Sequence, residues 1–305
     1  MRIGIGFGLA FLPLYICEDL KLIEKQARAL HLDMRASYQR LLGAGPMQQA
    51  IAAGTIDVAP FGIAPLLAAW AKGKGTRQQI IAVSGLTTMP LTLLSNQPKV
   101  RSLGDLRATD RIAMPSLSAP QMYLLEMASE SVFHRYDRLR GQVVAMAPAD
   151  AVNALIGGND TITADFASPP FTELALRDGK VHAVVASSDI LQDGASFLIL
   201  GATRAAVEAH AQLAGALDRA IDEAAAVIRK DPRRAAQIYL THEPSATLEL
   251  GMTEAVLKEI GGEFGSAVHG VDAFADFMGR HVELKNPPQS WKDIVAPALL
   301  NSSSG

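Results

Sequence analysis

Ile3, Ile5 and Phe7 alternate with Gly4, Gly6 and Gly8, the period-2 pattern of a buried strand feeding a loop. Short apolar runs then alternate with amphipathic stretches. The pattern predicts strands over Arg2 to Phe7, Leu32 to Gln39, Ile56 to Pro60 and Gln79 to Val83. Between them it predicts helices from Pro13 to about Leu30, from Met47 to Ala53 and from Pro65 to about Lys72. Pro13 suits a first helical turn, where its missing N–H costs little, and Gly54 suits a helix C-terminus. This alternation implies a parallel sheet with helices on its faces. Ligands of such sheets sit beyond the carboxyl ends of the strands. The loops of interest are therefore Gly8 to Leu12, Leu42 to Gly45 and Phe61 to Ala64.

A second, similar run follows. Strands are predicted over Leu91 to Ser95, Arg111 to Met114, Gln142 to Met146, Thr161 to Asp165 and Val181 to Ala186. Ser102 to Leu106 reads as a helical turn, Pro115 to Pro120 opens a helix reaching about His134, and Pro148 to Ile156 is a helix ended by Gly157-Gly158. Phe166 to Pro170 opens another helix. The remainder reads as mostly helical: one long helix from Arg204 to Lys230, a second begun by Asp231 as N-cap with Pro232 behind it, then Thr253 to Ile260 and Val271 to Arg280. Residues 1–86 and 188–305 are thus expected to form one lobe and 87–187 the other. Crossings near Thr87 and Ser187 would serve as a hinge.

Composition narrows the function classes. A chain of 305 residues suits two α/β lobes better than one core. Its formal net charge is -3 with no basic block, which argues against nucleic acid as a partner. The single cysteine, Cys17, excludes an intrachain disulfide and a Cys-rich metal site, and its place inside the first helix fits a small core residue. The seven histidines lack metal-ligand spacing and are expected at the surface. Ser84-Gly85 lacks the flanking glycines of a nucleophile elbow, and Gly4 to Gly8 departs from the dinucleotide fingerprint because Leu9 stands at the third glycine position. No catalytic residue, metal or cofactor is therefore expected. Met1 to Cys17 superficially resembles a signal peptide, but Leu14 to Cys17 is bulky for a cleavage site or a lipoprotein box, so a strand is expected and any export signal is missing from the chain. No 18-residue apolar run follows, and Asn301 to Gly305 reads as a flexible tail.

Several segments together resemble the substrate-binding proteins of nitrate, sulfonate and taurine ABC importers, a group that includes binders of thiamine pyrimidine precursors. Pro13 to Ile16 with Leu20 to Lys25 is similar to the family's first loop and helix, except that the family usually has a glycine near Lys21. The strongest likeness is Met47 to Val58, a helix ending in Ala53-Gly54 before an Ile56-Asp57 strand. Ser102 to Leu106 with Arg111 to Ala113, Pro148 to Leu155, Asp231 to Ala236 and Pro287 to Asp293 resemble later elements in the same order. The likeness spans about residues 2 to 294. It implies a periplasmic binding protein type II fold, each lobe a mainly parallel sheet flanked by helices with the ligand in the cleft between. It further implies a periplasmic, monomeric clamp that delivers a small molecule to a membrane permease and performs no reaction; lipid anchoring stays open.

Candidate ligand contacts follow from the loops. Gly43, Ala44 and Gly45, then Ser116 and Ser118, then Ser168 open helices with small or hydroxyl residues, and helix starts offer free N–H groups to an anion or polar oxygen. The same residues would also serve as plain N-caps. Phe11 and Leu12, Phe61 with Gly62 and Ile63, Leu117, and Phe166 with Ala167 supply the apolar part, while Met89 is expected in the core. Phe61 and Phe166 follow equivalent strand ends and would sandwich a ligand. Asp165 either caps the next helix or holds a ligand N–H. The absence of Arg and Lys from these loops points from nitrate toward a larger organic ligand. Two alternatives stay open: an enzyme of thiamine pyrimidine biosynthesis on the same fold, whose active-site His and Cys find no counterpart here, and a metabolite-sensing domain of a regulator, which would need a DNA-binding segment.

Overall fold

A computed structural model describes residues 1–41, 44–158, 161–191, 194–210, 212–244, 248–281 and 284–300. The chain divides into two compact units, one of Met1–Thr88 with Ala195–Gly305 and one of Met89–Gly194.

The first unit runs β1 (Arg2–Ile5), α1 (Leu12–Leu20), α2 (Leu22–Ala29), β2 (Ser37–Arg40), α3 (Ala44–Ala52), β3 (Val58–Phe61), α4 (Ile63–Lys72) and β4 (Ile80–Thr87). The second contains β5 (Thr92–Ser95), β6 (Ile112–Met114), α5 (Pro120–Phe133), β7 (Val143–Ala145), α6 (Pro148–Gly157), β8 (Ala164–Ala167), α7 (Phe171–Leu176), β9 (His182–Ala186) and α8 (Ser187–Ile190). The chain then returns to the first unit as β10 (Leu198–Thr203), α9 (Arg204–Ala209), α10 (Leu213–Lys230), α11 (Pro232–His242), α12 (Leu250–Ile260) and α13 (Val271–Arg280).

Each unit has a five-stranded sheet, ordered β2-β1-β3-β10-β4 in the first and β7-β6-β8-β5-β9 in the second. In each, four strands run one way and one runs against them: β10 is antiparallel to β3 and β4, and β5 to β8 and β9. The reversed strand is in both cases the first one formed after the chain changes unit. The first sheet thus departs from expectation, since β10 separates β3 from β4. Leu198 to Ala202 is apolar at consecutive positions and buried on both faces, a pattern that periodicity cannot tell from a buried helix turn. Gly201 is required inside β10, because a Cβ there would lie 2.9 Å from both the Phe61 ring and Ile80.

Other boundaries differ in instructive ways. The first helix breaks at Lys21, which adopts a left-handed conformation (φ 53) and ends α1. β2 begins at Ser37 rather than Leu32, and the Arg204 to Lys230 helix is two helices. β3 and β8 extend further than predicted, so Phe61, Phe166 and Ala167 are strand residues. Asp231 caps α11 as expected, accepting from the Arg234 N–H at 3.0 Å.

The segments that carried the family likeness have structural jobs. Gly54 turns the chain at φ 67 after α3, Ile56 is buried, and Asp57 accepts from the Arg2 backbone N–H at 2.7 Å and from its guanidinium at 2.5 Å, tying the start of β3 to β1. Ser102 and Asp105 form a capping box around a short 3-10 turn, with Asp105 accepting the backbone N–H of Ser102 at 2.8 Å. Ser290 and Asp293 repeat the device at Trp291–Asp293.

Candidate functional site

The carboxyl ends of β1 and β3 and the starts of α3 and α4 lie on one edge of the first sheet. Gly6, Phe7 and Gly8 follow β1. Gly8 has φ 109 with an extended ψ, a conformation open to glycine. A Cβ on Gly6 would lie 2.4 Å from the Phe11 ring, so that ring lies against Gly6 and is half-buried. Leu12 is fully buried and packs in the core. Phe7 is 50% exposed, and sequence reasoning did not select it, although an aromatic between two glycines at a strand end is a visible signal.

Gly43 lies outside the described residues. Ala44 opens α3, and Gly45 is exposed, with open space where a Cβ would stand. Phe61 closes β3 and is buried against Gly201; Gly62 N-caps α4 in an extended conformation; Ile63 is fully buried. No side chain caps α4, and its first turn holds no acid.

The first loop is held by side chains from distant sequence. The Gly8 N–H donates to Glu243 Oε1 at 2.5 Å. The buried Tyr15 hydroxyl donates to the Gly6 carbonyl at 2.9 Å and also contacts Glu243, while the Tyr239 hydroxyl lies 3.4 Å from Glu243 Oε2. Tyr15 stacks on His242, with centroids 4.7 Å apart and planes 4° apart, and carries the Arg40 guanidinium 4.7 Å from its own centroid. His242 is therefore a partly buried, engaged residue, not the surface histidine expected. Cys17 is fully buried, and burial pushes its thiol well up.

In the second unit the carboxyl edge presents different chemistry. Ser116 and Ser118 hydroxyls lie 3.2 Å apart and bond each other rather than capping α5, whose N-cap is Ala119. Leu117 between them is 54% exposed. α5 has no side-chain cap and no acid in its first turn; α6, with Ala147 as N-cap, also lacks a side-chain cap but carries Asp150 in its first turn. Phe166 and Ala167 are buried strand residues, and the Ser168 carbonyl accepts the Phe171 and Thr172 N–H groups at 2.9 and 3.2 Å.

Asp165 stands in register with Leu94 on one neighbour strand and Ala113 on the other, on the sheet face shared with Ala167. It is 3% exposed, and its carboxyl has no hydrogen-bond or ion-pair partner among the described residues. Burial alone pushes it up to about 7. The capping role expected for it does not occur, because α7 begins after Pro170 without a side-chain cap.

Among the described residues no three His, Cys, Asp or Glu side chains cluster to hold a metal ion, and no helix is long and apolar enough to cross a membrane. A cavity of about 740 Å³ opens at the amino edge of the first sheet, lined by Met1, Leu30, Met34, Asp57 and His210 among others. Part of its polar lining is already engaged: Arg2 binds Asp57, and the Met1 amino group donates to the Arg35 carbonyl at 2.7 Å.

No protein-family model matches the sequence, and no curated protein matches it. Solved structures do. The periplasmic aliphatic sulphonate binding protein SsuA from Escherichia coli superposes with a TM-score of 0.74 over 97% of both chains at 18% identity. The alkanesulfonate-binding protein SsuA from Xanthomonas axonopodis pv. citri, bound to MOPS, gives 0.70 over 98% of this chain and 96% of its own, also at 18% identity. This is the periplasmic binding protein fold. The periplasmic nitrate-binding protein NrtA from Synechocystis PCC 6803 shares the binding-protein fold at a TM-score of 0.69 and 11% identity, over 99% of this chain and 86% of its own.

Proposed function

We propose that the protein is the solute-binding subunit of an ABC importer, a monomer that works outside the cytoplasmic membrane and captures a small organic anion such as a sulfonate or carboxylate. The observation that carries this reading is the pairing of open helix starts with exposed apolar side chains at the carboxyl edge of each sheet. α4 starts at Ile63 behind its N-cap Gly62 and α5 at Pro120 behind Ala119, neither with a side-chain cap or a first-turn acid, so both positive dipole ends favour an oxyanion. In α5 Pro120 has no N–H and the Ala119 and Met122 N–H groups bond the Ser116 and Ala119 carbonyls, so that start acts through its dipole rather than through a set of free donors. Phe7 in one unit and Leu117 in the other supply apolar contact for the rest of the ligand. Chemistry at the ligand has no part in this scheme, and the product delivered to the permease is the captured molecule itself.

A thermal-shift screen against alkyl and aryl sulfonates, taurine, nitrate, aromatic carboxylates and pyrimidines tests it. A ligand that binds only the native state raises the melting temperature by mass action. A saturable shift with the compound recovered unchanged supports the binding role; recovery of an altered compound would replace it with an enzyme.

Gly45 offers a sharper probe of the α3 start. Leucine there meets open space, so the Gly45→Leu protein should melt within about 2 °C of its parent, as exposed substitutions cost ~0.5 kcal/mol or less. Its affinity for any ligand found in the screen should fall about tenfold or more, because the side chain occupies the approach to the helix start. Unchanged affinity would remove this loop from the site.

A further inference from the structure

We infer that Glu243 is a positioning residue: together with Tyr15 it fixes the peptide groups on both sides of Phe7 and so presents that ring at the carboxyl edge of β1. The inference rests on the proposal that this edge contacts ligand.

The argument starts from the exposure of Phe7. A half-exposed aromatic gains little from packing and has no burial of its own to hold it in place. Its two flanks are nevertheless fixed by strong polar contacts. On the Gly8 side the backbone N–H donates to the Glu243 carboxylate at 2.5 Å. On the Gly6 side the carbonyl accepts from the Tyr15 hydroxyl at 2.9 Å, and that hydroxyl also contacts Glu243. Hydrogen bonds to a carboxylate are stronger than neutral ones, and here one carboxylate gathers Gly8, Tyr15 and Tyr239. Gly8 takes φ 109, so the loop adopts a conformation that a residue with a side chain would resist, and the Glu243 bond is what it gains there.

Glu243 is itself held in place. It follows His242 at the end of α11, and His242 is tethered twice: Arg40 of β2 approaches Nδ1 at 2.5 Å, and Nε2 lies 2.9 Å from Asp19 of α1. A guanidinium can only donate, so Nδ1 is the acceptor and Nε2–H donates to Asp19. The end of α11 is thereby anchored to β2 and α1, the two elements that border the β1 loop.

The test reads amide exchange at Gly8 by NMR in the parent, Glu243→Ala and Glu243→Gln proteins, and titrates the same proteins with benzenesulfonate, alone and combined with Phe7→Ala. Glu243→Ala should speed Gly8 exchange about tenfold or more, because a charge-assisted bond is lost at an otherwise accessible amide. Glu243→Gln should recover most of the protection, since its amide oxygen still accepts. Benzenesulfonate affinity should fall about tenfold in Glu243→Ala, yet less than about twofold when Phe7 is already alanine, the non-additivity expected of residues acting through one another. A merely structural role would weaken binding equally in both backgrounds, and that result would overturn the inference. So would unchanged Gly8 exchange in Glu243→Ala. If the parent fails to bind benzenesulfonate at all, the ligand reading fails for this probe, while Gly8 exchange still decides whether the clamp exists.

Discussion

Replacing Asp165 by asparagine should stabilise the protein strongly at pH 8 and leave it nearly unchanged at pH 4. The carboxyl sits in an apolar setting between Leu94 and Ala113 with no counter-charge among the described residues, and burial raises it from its ordinary 3.8 to about 7. The unfolded chain therefore releases this proton first as pH rises. Between about pH 4 and pH 7 the folded state binds more protons than the unfolded one, so stability falls with rising pH, and the full penalty is present above pH 7. A rise from 3.8 to about 7 corresponds to about 4 kcal/mol. Asparagine has nearly the same shape and no proton to lose, so its urea-unfolding free energy should lack this slope. Parallel pH dependences for Asp165→Asn and its parent would show that the carboxyl is solvated or paired after all.

Phe166→Ala and Phe7→Ala should fail in opposite ways. Phe166 is 1% exposed inside β8, and its truncation should cost about 3–5 kcal/mol of folding free energy, the range for a large aromatic removed from a core. Phe7 is half exposed, so its truncation should move stability by about 0.5 kcal/mol or less and weaken ligand binding by about 1–3 kcal/mol if the ring covers the apolar part of the ligand. Chemical denaturation and titration with a ligand from the screen separate the two effects. Loss of binding with intact stability in Phe166→Ala, and no binding change in Phe7→Ala, would restore the sandwich first expected from the strand ends and remove Phe7 from the site.

The two aromatics show where local pattern stops being informative. Periodicity puts Phe61 and Phe166 just past their strands, because apolar alternation does not mark the residue at which a strand ends. Here a shift of one or two positions moves a side chain from a ligand loop into a buried strand. The serines misled for a related reason. A hydroxyl near a helix start reads as a cap, yet Ser116 and Ser118 bond each other, and Ala119 occupies the N-cap. Three of the motifs that carried the family likeness serve the fold rather than the proposed site. Asp57 on Arg2, the Ser102–Asp105 box and the Ser290–Asp293 box each hold backbone in place, which is a demand of the fold whatever ligand is bound.

The amino-acid sequence by itself determined the alternation of strands and helices, the glycine and proline punctuation and the Asp231 cap, because each depends on residues a few positions apart, whereas the binding-protein architecture was legible only through the family resemblance. Tertiary structure alone decided the rest. It placed β10 between β3 and β4, brought Glu243 to Gly8 across 235 positions, left Asp165 without a partner among the described residues and turned Phe7 rather than Phe166 outward. Those outcomes depend on which surfaces meet once the sheets have formed, and such long-range pairings are set by packing and loop closure, which leave no period in the sequence.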